Sequence, residues 1–172
     1  INGENLEMQM PMPMLNIING GQHADNNVDI QEFMIMPIGA NSFSQAMQWS
    51  TEIYANLKNL LQTRGLSTSV GDEGGFAPNL SSNTEAIELI IAAIQKNNLV
   101  EGKDVGIALD CAASEFYDNG IYDLKGESKK LNSIEFTQYL EELTNKYPIL
   151  SIEDGMDEND CKGWNHLTDV LG

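Results

Sequence analysis

The sequence predicts an α/β fold, in which a parallel sheet is covered by helices on its outside. Short apolar runs alternate with longer segments whose apolar residues recur at helical spacing. The 172 residues correspond to about one domain, and no repeat or change in composition divides them. Hydrophobic residues make up 41% of the chain and charged residues 20%. Because these are ordinary globular values, disordered, collagen-like and disulfide-framed classes are excluded.

The predicted elements follow the order strand, strand, helix, helix, strand, hairpin, helix, strand, helix. They lie, in that order, at residues 14–18, 29–36, 42–62, from 82 onward, 105–109, 116–122, 133–146, 149–152 and 161–169. Four strands and four helices amount to half of an eight-stranded barrel, which typically needs about 250 residues. An open four-stranded sheet is the alternative.

The first strand is expected to begin after Pro13, because a proline cannot donate a hydrogen bond inside a central strand. A stripe of methionines precedes and enters this strand, at positions 8, 10, 12 and 14. We expect the stripe to pack in the core rather than to contact a cofactor. The second strand, 29–36, is closed by Pro37 and Gly39.

Two helices begin with a capping-box pattern, a serine followed three residues later by Gln or Glu. The pairs are Ser42 with Gln45 and Ser82 with Glu85, and Gly65 suits the end of the first helix. The expected buried faces are Ala46, Trp49, Ile53, Leu57, Leu60 and Leu61 in the first helix, and Ala86, Leu89, Ile90, Ala93 and Ile94 in the second.

The later secondary-structure elements are also predicted by short sequence patterns. Residues 105–109 are nearly continuously apolar, as is typical of a buried parallel strand. Asn119-Gly120 predicts a hairpin, because both residues readily adopt the positive φ of a type I′ turn. Pro148 introduces the last strand. The glycine-rich segment 71–75 does not fit the spacing of a dinucleotide fingerprint or a P-loop.

The charge balance excludes some partners. With 9 basic and 26 acidic residues, the formal charge is −17, so direct binding to a nucleic-acid backbone is not expected. Cys111 and Cys161 are too few for a thiolate metal site and weakly favour a reducing compartment. No apolar run approaches the roughly 18 residues of a membrane span, and the N-terminus does not resemble a secretory signal. Both ends of the chain are expected to be truncated.

Two predicted strands end in carboxylates. Asp110 follows the strand 105–109, and Glu153-Asp154 follows the strand 149–152. In a barrel, the carboxyl ends of the strands meet at the catalytic rim. Clustered carboxylates repel one another unless a cation binds them, and oxygen ligands suit Mg²⁺ or Mn²⁺. The alternative is that these acids are solvated or paired with lysines.

Three further residues are candidates for chemistry or binding. Glu32 lies within an otherwise apolar strand, where an acid either transfers protons or pairs with a basic residue. Regular alternation would place Gln31 on the opposite face of that strand, so a shared pocket would need a bulge or bend. Glu73 lies in a glycine-flanked acidic loop and His23 just past a strand end, where either could equally be an ordinary surface residue.

Five segments taken together closely resemble enolase, especially the bacterial enolases. They are residues 19–27, 29–35, 70–79, 109–116 and 151–154, which include Asn-Gly-Gly-Gln-His-Ala-Asp, Gly-Asp-Glu-Gly-Gly and Ser-Ile-Glu-Asp. Their order and spacing match the family over essentially all 172 residues. The resemblance implies a partial enolase-type β/α (TIM-like) barrel, of order ββααβ(hairpin)αβα.

The resemblance implies a glycolytic, Mg²⁺-dependent lyase that interconverts 2-phospho-D-glycerate with phosphoenolpyruvate and water. By motif, Glu73 is similar to the general acid that helps the C3 hydroxyl leave, and Glu32 to a second acid beside it. His23, Gln31, Glu32 and Glu153 resemble substrate-binding residues, and Asp110 and Glu153 resemble two of three magnesium ligands. A homo-oligomer, dimer or octamer, is implied, as is a cytoplasmic location with a cell-surface or secreted pool.

The sequence also departs from the family. The family's N-terminal domain, its third metal carboxylate, and the lysine that abstracts the C2 proton have no counterpart in residues 1–172. We therefore expect this chain to be the N-terminal half of the C-terminal barrel domain, inactive alone. Two alternatives stay open: another Mg²⁺-dependent member of the superfamily that acts on a different carboxylate, and a non-catalytic binding or surface role.

Overall fold

A computed structural model describes residues 10–172 of the chain. The helices within this part are α1 (Phe43–Thr63), α2 (Asn83–Lys96), α3 (Ser133–Lys146) and α4 (Cys161–Leu171). The strands are β1 (Leu15–Asn19), β2 (Glu32–Met36), β3 (Gly106–Asp110), β4 (Tyr117–Asp118), β5 (Ile121–Leu124), β6 (Lys129–Leu131) and β7 (Ile149–Glu153). The predicted α/β class and element order are confirmed.

The main sheet has the strand order β1-β2-β3-β7 and is mixed. Strand β2 runs antiparallel to both neighbours, whereas β3 and β7 are parallel, so the prediction of a wholly parallel sheet is wrong at β2. No α-helix separates β1 from β2, and two α-helices separate β2 from β3. Helices α1 and α2 bring the chain back to the end of the sheet where β2 ends. Strand β3 therefore begins beside the last residue of β2, and Gly106 pairs with Met36. A single crossover through α3 keeps β7 parallel to β3.

The core lies between this sheet and the helices, in one cluster of buried side chains. Strand β2 contributes Phe33 and Ile35, and β3 contributes Ile107 and Leu109, all fully buried. The predicted face of α2 is entirely buried. In α1, Ala46, Ile53, Leu57 and Leu61 are buried, while Trp49 and Leu60 are only partly so. The helical periodicity therefore located the buried face of α2, and most of that of α1, correctly.

The methionine stripe is not part of the core. Met10, Met12 and Met14 are exposed, and Met8 lies outside the described residues. Because Pro11 and Pro13 cannot donate ladder hydrogen bonds, this segment does not join the sheet, and β1 begins only at Leu15. The prediction that the stripe packs inside is wrong for these three residues.

The starts of two helices and the hairpin turn form where the local sequence patterns predict them. Ser42 and Ser82 accept hydrogen bonds from the N–H groups of Gln45 and Glu85, as the capping patterns predict. The Asn119-Gly120 turn has positive φ at both residues and joins β4 to β5. Strand β6, which the sequence did not predict, extends this hairpin into a second, three-stranded sheet.

Strand β7 forms an edge of the main sheet, since only β3 pairs with it among the residues that the structure describes. Its Leu150 side chain is 51% exposed. Within the same part of the chain, no helix is both long and apolar enough to cross a membrane.

Candidate functional site

One row of residues crosses the main sheet at a single rim. Asn19, Glu32, Asp110 and Glu153 are successive partners in the strand register. Glu32 begins β2, whereas the other three residues end their strands, because β2 runs in the opposite direction. Because β2 runs antiparallel to its neighbours, its first residue, Glu32, lies at the rim formed by the carboxyl ends of those neighbours.

Glu32 is the most buried of the candidate acids, with 8% of its surface exposed. The prediction that its strand begins at residue 29 is wrong, because Ile30 and Gln31 form a bend before β2. The bend is held by two N–H donors, Ile30 to Asn83 Oδ1 at 3.2 Å and Gln31 to the carbonyl of Asp110 at 3.1 Å. It also lets the Gln31 side chain hydrogen-bond to the Asp110 carboxylate.

Glu73 reaches the site from the connection between α1 and α2. It lies in a single 3₁₀ turn, Asp72–Gly74, with φ 58° and ψ 12°, a left-handed conformation that non-glycine residues rarely adopt. Its exposed side chain hydrogen-bonds to the carboxyl group of Glu32. Two carboxyl groups can share a hydrogen bond only if one of them carries a proton.

His23 ends a 3₁₀ turn directly after β1, Gly21–His23. Its Nδ1 lies 3.2 Å from Oε1 of Glu32, although the alignment is too poor for a hydrogen bond and the buried Nδ1 has no other partner. The ligand atoms of His23, Glu32 and Glu73 all lie within 4.8 Å of one another. The structure thus brings together three predicted site residues from three separate segments.

The electrostatics of the site favour a protonated acid at Glu32. Burial raises the pKa of Glu32 to about 7, helped by the hydrogen bond with Glu73 and by the negative charges of Glu73, Asp110 and Glu153. Glu153 is exposed and is followed directly in the sequence by another acid, Asp154. Within residues 10–172, no lysine or arginine forms an ion pair with any of these acids.

The surroundings of Asp110 act on its pKa in both directions. Its pKa is raised by burial and by the charge of Asp154, whereas hydrogen bonds from the Ala112 N–H and from Gln31 lower it, as does nearby His23. The Ala112 N–H donates to Asp110 Oδ1 at 2.9 Å. Glu153 is the register neighbour of Asp110 on the parallel strand β7.

The two groups of side chains suit different chemistry. Asp110 and Glu153 offer only carboxylate oxygens, the ligands that Mg²⁺ prefers, and they have no cation partner in the described chain. The cluster of His23, Glu32 and Glu73 could in principle also hold an ion. Its imidazole suits Mg²⁺ poorly, however, and a carboxyl that keeps its proton near neutral pH is a better acid than ligand.

Sequence reasoning missed the contribution of one residue of this region. Asn19 was interpreted only as a strand end, yet its side chain is fully buried beneath the Glu73 turn. Asp154, which the sequence analysis placed with Glu153 after a strand, has a positive φ of 45° and raises the pKa of Asp110. The burial of Asn19 depends on a loop more than fifty residues away, for which the local pattern holds no signal.

The sequence matches one family model over residues 7–172, nearly its whole length. That model is described as "Enolase, C-terminal TIM barrel domain". A partial barrel domain agrees with the open mixed sheet of β1, β2, β3 and β7 and its surrounding helices.

Proposed function

Because this chain belongs to the enolase C-terminal TIM barrel family, we propose that it is part of an enolase that interconverts 2-phospho-D-glycerate with phosphoenolpyruvate and water. Membership of the family indicates a lyase of the enolase superfamily. The observation that supports the specific reaction is the hydrogen-bonded pair of Glu32 and Glu73, set beside the carboxylates of Asp110 and Glu153 in the same row.

In this proposal, Asp110 and Glu153 hold the magnesium ion. Their oxygens, their adjacent register and the lack of a basic partner in the described chain fit a divalent cation. As in enolase-superfamily sites generally, the bound Mg²⁺ would stabilise the negative charge of the substrate carboxylate when an ene-diolate forms. Glu153 also lies at the edge of the sheet, where it can contact substrate.

Glu73 is proposed as the general acid. Elimination of water from 2-phosphoglycerate breaks the bond between C3 and its hydroxyl oxygen, and that oxygen needs a proton to leave as water. The exposed Glu73 carboxyl can reach a bound substrate, while buried Glu32 keeps a proton available near neutral pH. Glu32 is the second acid beside the same hydroxyl, and the proton moves from the shared hydrogen bond to the leaving oxygen.

His23 and Gln31 are proposed as substrate contacts. His23 lies against Glu32, and the bend at Ile30-Gln31 directs Gln31 towards Asp110. Both side chains therefore border the same rim as the acids. Their polar groups can orient a phosphorylated carboxylate without taking part in bond breaking.

We also propose that the chain is the N-terminal half of a bacterial-type enolase barrel domain and is inactive alone. Its single-sided pairing at β7 and the exposed Leu150 support this proposal, since closed barrels leave no edge. The C2 proton acceptor and the third metal carboxylate would come from the rest of the protein, which we propose to be a cytoplasmic homo-oligomer with a cell-surface or secreted pool.

The test is turnover by the full-length protein that contains this chain. Formation of phosphoenolpyruvate from 2-phosphoglycerate, followed by absorbance, is expected with Mg²⁺ and not after chelation. A Glu142→Gln variant on the exposed surface of α3 controls for a general effect of losing a carboxylate and is expected to retain full activity. Turnover of other acid sugars, but not of 2-phosphoglycerate, would instead identify a different member of the superfamily.

A further inference from the structure

Asn19 occupies a position that the proposed chemistry does not explain. It ends β1, its side chain is fully buried, and it stands in the same row as Glu32, Asp110 and Glu153. A buried amide is costly unless its polar atoms are hydrogen-bonded. Its partners therefore indicate why an asparagine is present there.

The side chain of Asn19 connects β1 to the turn that carries Glu73. Nδ2 donates to the carbonyl of Asp72, the residue before Glu73, and lies 3.5 Å from the carbonyl of His23. Oδ1 accepts from Asn16 Nδ2 at 2.5 Å. One amide thus contacts the backbone of both loops from which the candidate residues His23 and Glu73 project.

The backbone of Asn19 strengthens the same connection. Its N–H donates to the carbonyl of Phe76 at 2.8 Å, and its carbonyl accepts from Asn26 Nδ2 at 2.9 Å. The Phe76 N–H donates in turn to the carbonyl of Ile17 at 3.0 Å. The turn is therefore attached to β1 on the C-terminal side of Glu73 as well as at Asp72.

The glycines on either side of the turn are fitted to this amide. A Cβ at Gly75 would collide with Asn19 Oδ1, and a Cβ at Gly71 would collide with the carbonyl of His23 and lie 2.7 Å from Asn19 Nδ2. The turn is closed by the Gly71 N–H, which donates to the carbonyl of Gly75 at 2.9 Å. The loop therefore passes so close to the Asn19 side chain, and at Gly71 also to the backbone of His23, that only glycine fits at both positions.

We propose that Asn19 is a positioning residue for Glu73: its buried amide holds the left-handed turn that points the Glu73 carboxyl at Glu32. This role rests on the proposed function, in which Glu73 acts as the acid. The left-handed backbone of Glu73 persists only while its surroundings hold it in place. The hydrogen bond from the Asn19 side-chain amide to the carbonyl of Asp72 is made one residue before Glu73.

A double-mutant cycle in the full-length protein separates positioning from general support of the fold. Asn19→Ala is expected to lower kcat by about 10²-fold while changing KM by less than about threefold. In a Glu73→Gln background the same substitution should change kcat by less than about threefold, because the residue being positioned is already disabled. An equal loss of kcat in both backgrounds would overturn the proposal.

Asn27→Ala is the matched control. Asn27 also ties the segment after β1 to the connection between α1 and α2, through two hydrogen bonds with Leu80 at 2.6 and 2.9 Å. It makes no hydrogen bond to residues 71–75. It is expected to lower the melting temperature without lowering kcat, and a loss of kcat like that of Asn19→Ala would count against a specific role for Asn19.

Hydrogen exchange tests the same proposal without activity. The Gly71 amide is expected to exchange at least about tenfold faster in Asn19→Ala than in the wild-type protein or in Asn27→Ala. If Asn19→Ala does not fold, Asn19→Ser retains a polar group that is too short to reach Asp72 and should show the same acceleration. If the wild-type protein shows no turnover, the proposed function fails while exchange still decides whether Asn19 holds the turn. Unchanged exchange at Gly71 overturns the proposal.

Discussion

Glu32, the first residue of β2, and Asp110, the last residue of β3, are direct register partners on antiparallel strands, so their two carboxyl groups lie side by side. Glu153 is the next partner along the row. Within residues 10–172, none of them has a lysine or arginine partner. Their mutual repulsion is relieved in two ways: a retained proton at Glu32 and, we propose, a cation between Asp110 and Glu153.

Protonation of Glu32 predicts a pH dependence of stability. Its pKa rises from an ordinary value of 4.5 to about 7 on folding, so folding takes up a proton between these two pH values. The free energy of unfolding should therefore fall as pH rises through this window. Urea unfolding below pH 4.5 and above pH 7 measures the effect.

Glu32→Gln removes the titrating group and should flatten this part of the pH profile. Glu73→Gln should narrow the window, because both the hydrogen bond and the charge of Glu73 raise the pKa of Glu32. A Glu32→Gln profile parallel to that of the wild type across the window would show that another group is responsible.

The proposed acids predict a specific loss of activity in the full-length protein. Glu73→Gln and Glu32→Gln should each lower kcat by about 10²–10⁴-fold, the usual contribution of general acid–base catalysis. The effects should not add, since the two carboxyl groups share one hydrogen bond. Steady-state kinetics on the single and double variants measures this, and full additivity would contradict a shared proton.

The edge strand β7 predicts that the 172-residue chain associates with itself. An exposed strand edge with apolar side chains is a template for pairing with another chain, so oligomers or aggregates that bind ANS are expected in sedimentation experiments. Leu150→Lys should reduce the association, because a lysine on an edge strand opposes pairing.

Val100→Lys is the control for this effect, because Val100 and Leu150 are both 51% exposed but Val100 lies outside the strands. It should leave the association unchanged. A compact monomer of the unaltered chain without ANS binding would contradict the half-barrel account.

The sequence predicted what depends on neighbouring residues. Helix α3 occupies the predicted residues 133–146, because Asn132 and Glu135 form a capping box at its start and Pro148 follows its end. Asp110 and Glu153 were expected at strand ends on local pattern alone, and both are the last residues of their strands.

What was missed depends on distant contacts. The alternation of Met10, Met12 and Met14 resembled a core stripe, but the sequence does not show which surface a segment faces. The direction of β2 follows from the two helices after it, a topological consequence rather than a residue pattern. The buried amide of Asn19 exists only because Asp72 folds against it.

The location of the metal tests the central claim most directly. In crystals of the full-length protein grown with Mn²⁺ in place of Mg²⁺, anomalous scattering shows where the ion binds. A peak is expected between the carboxylates of Asp110 and Glu153, with Glu32 and Glu73 not coordinating the ion. A peak held by His23, Glu32 and Glu73, with none at Asp110 and Glu153, would contradict it.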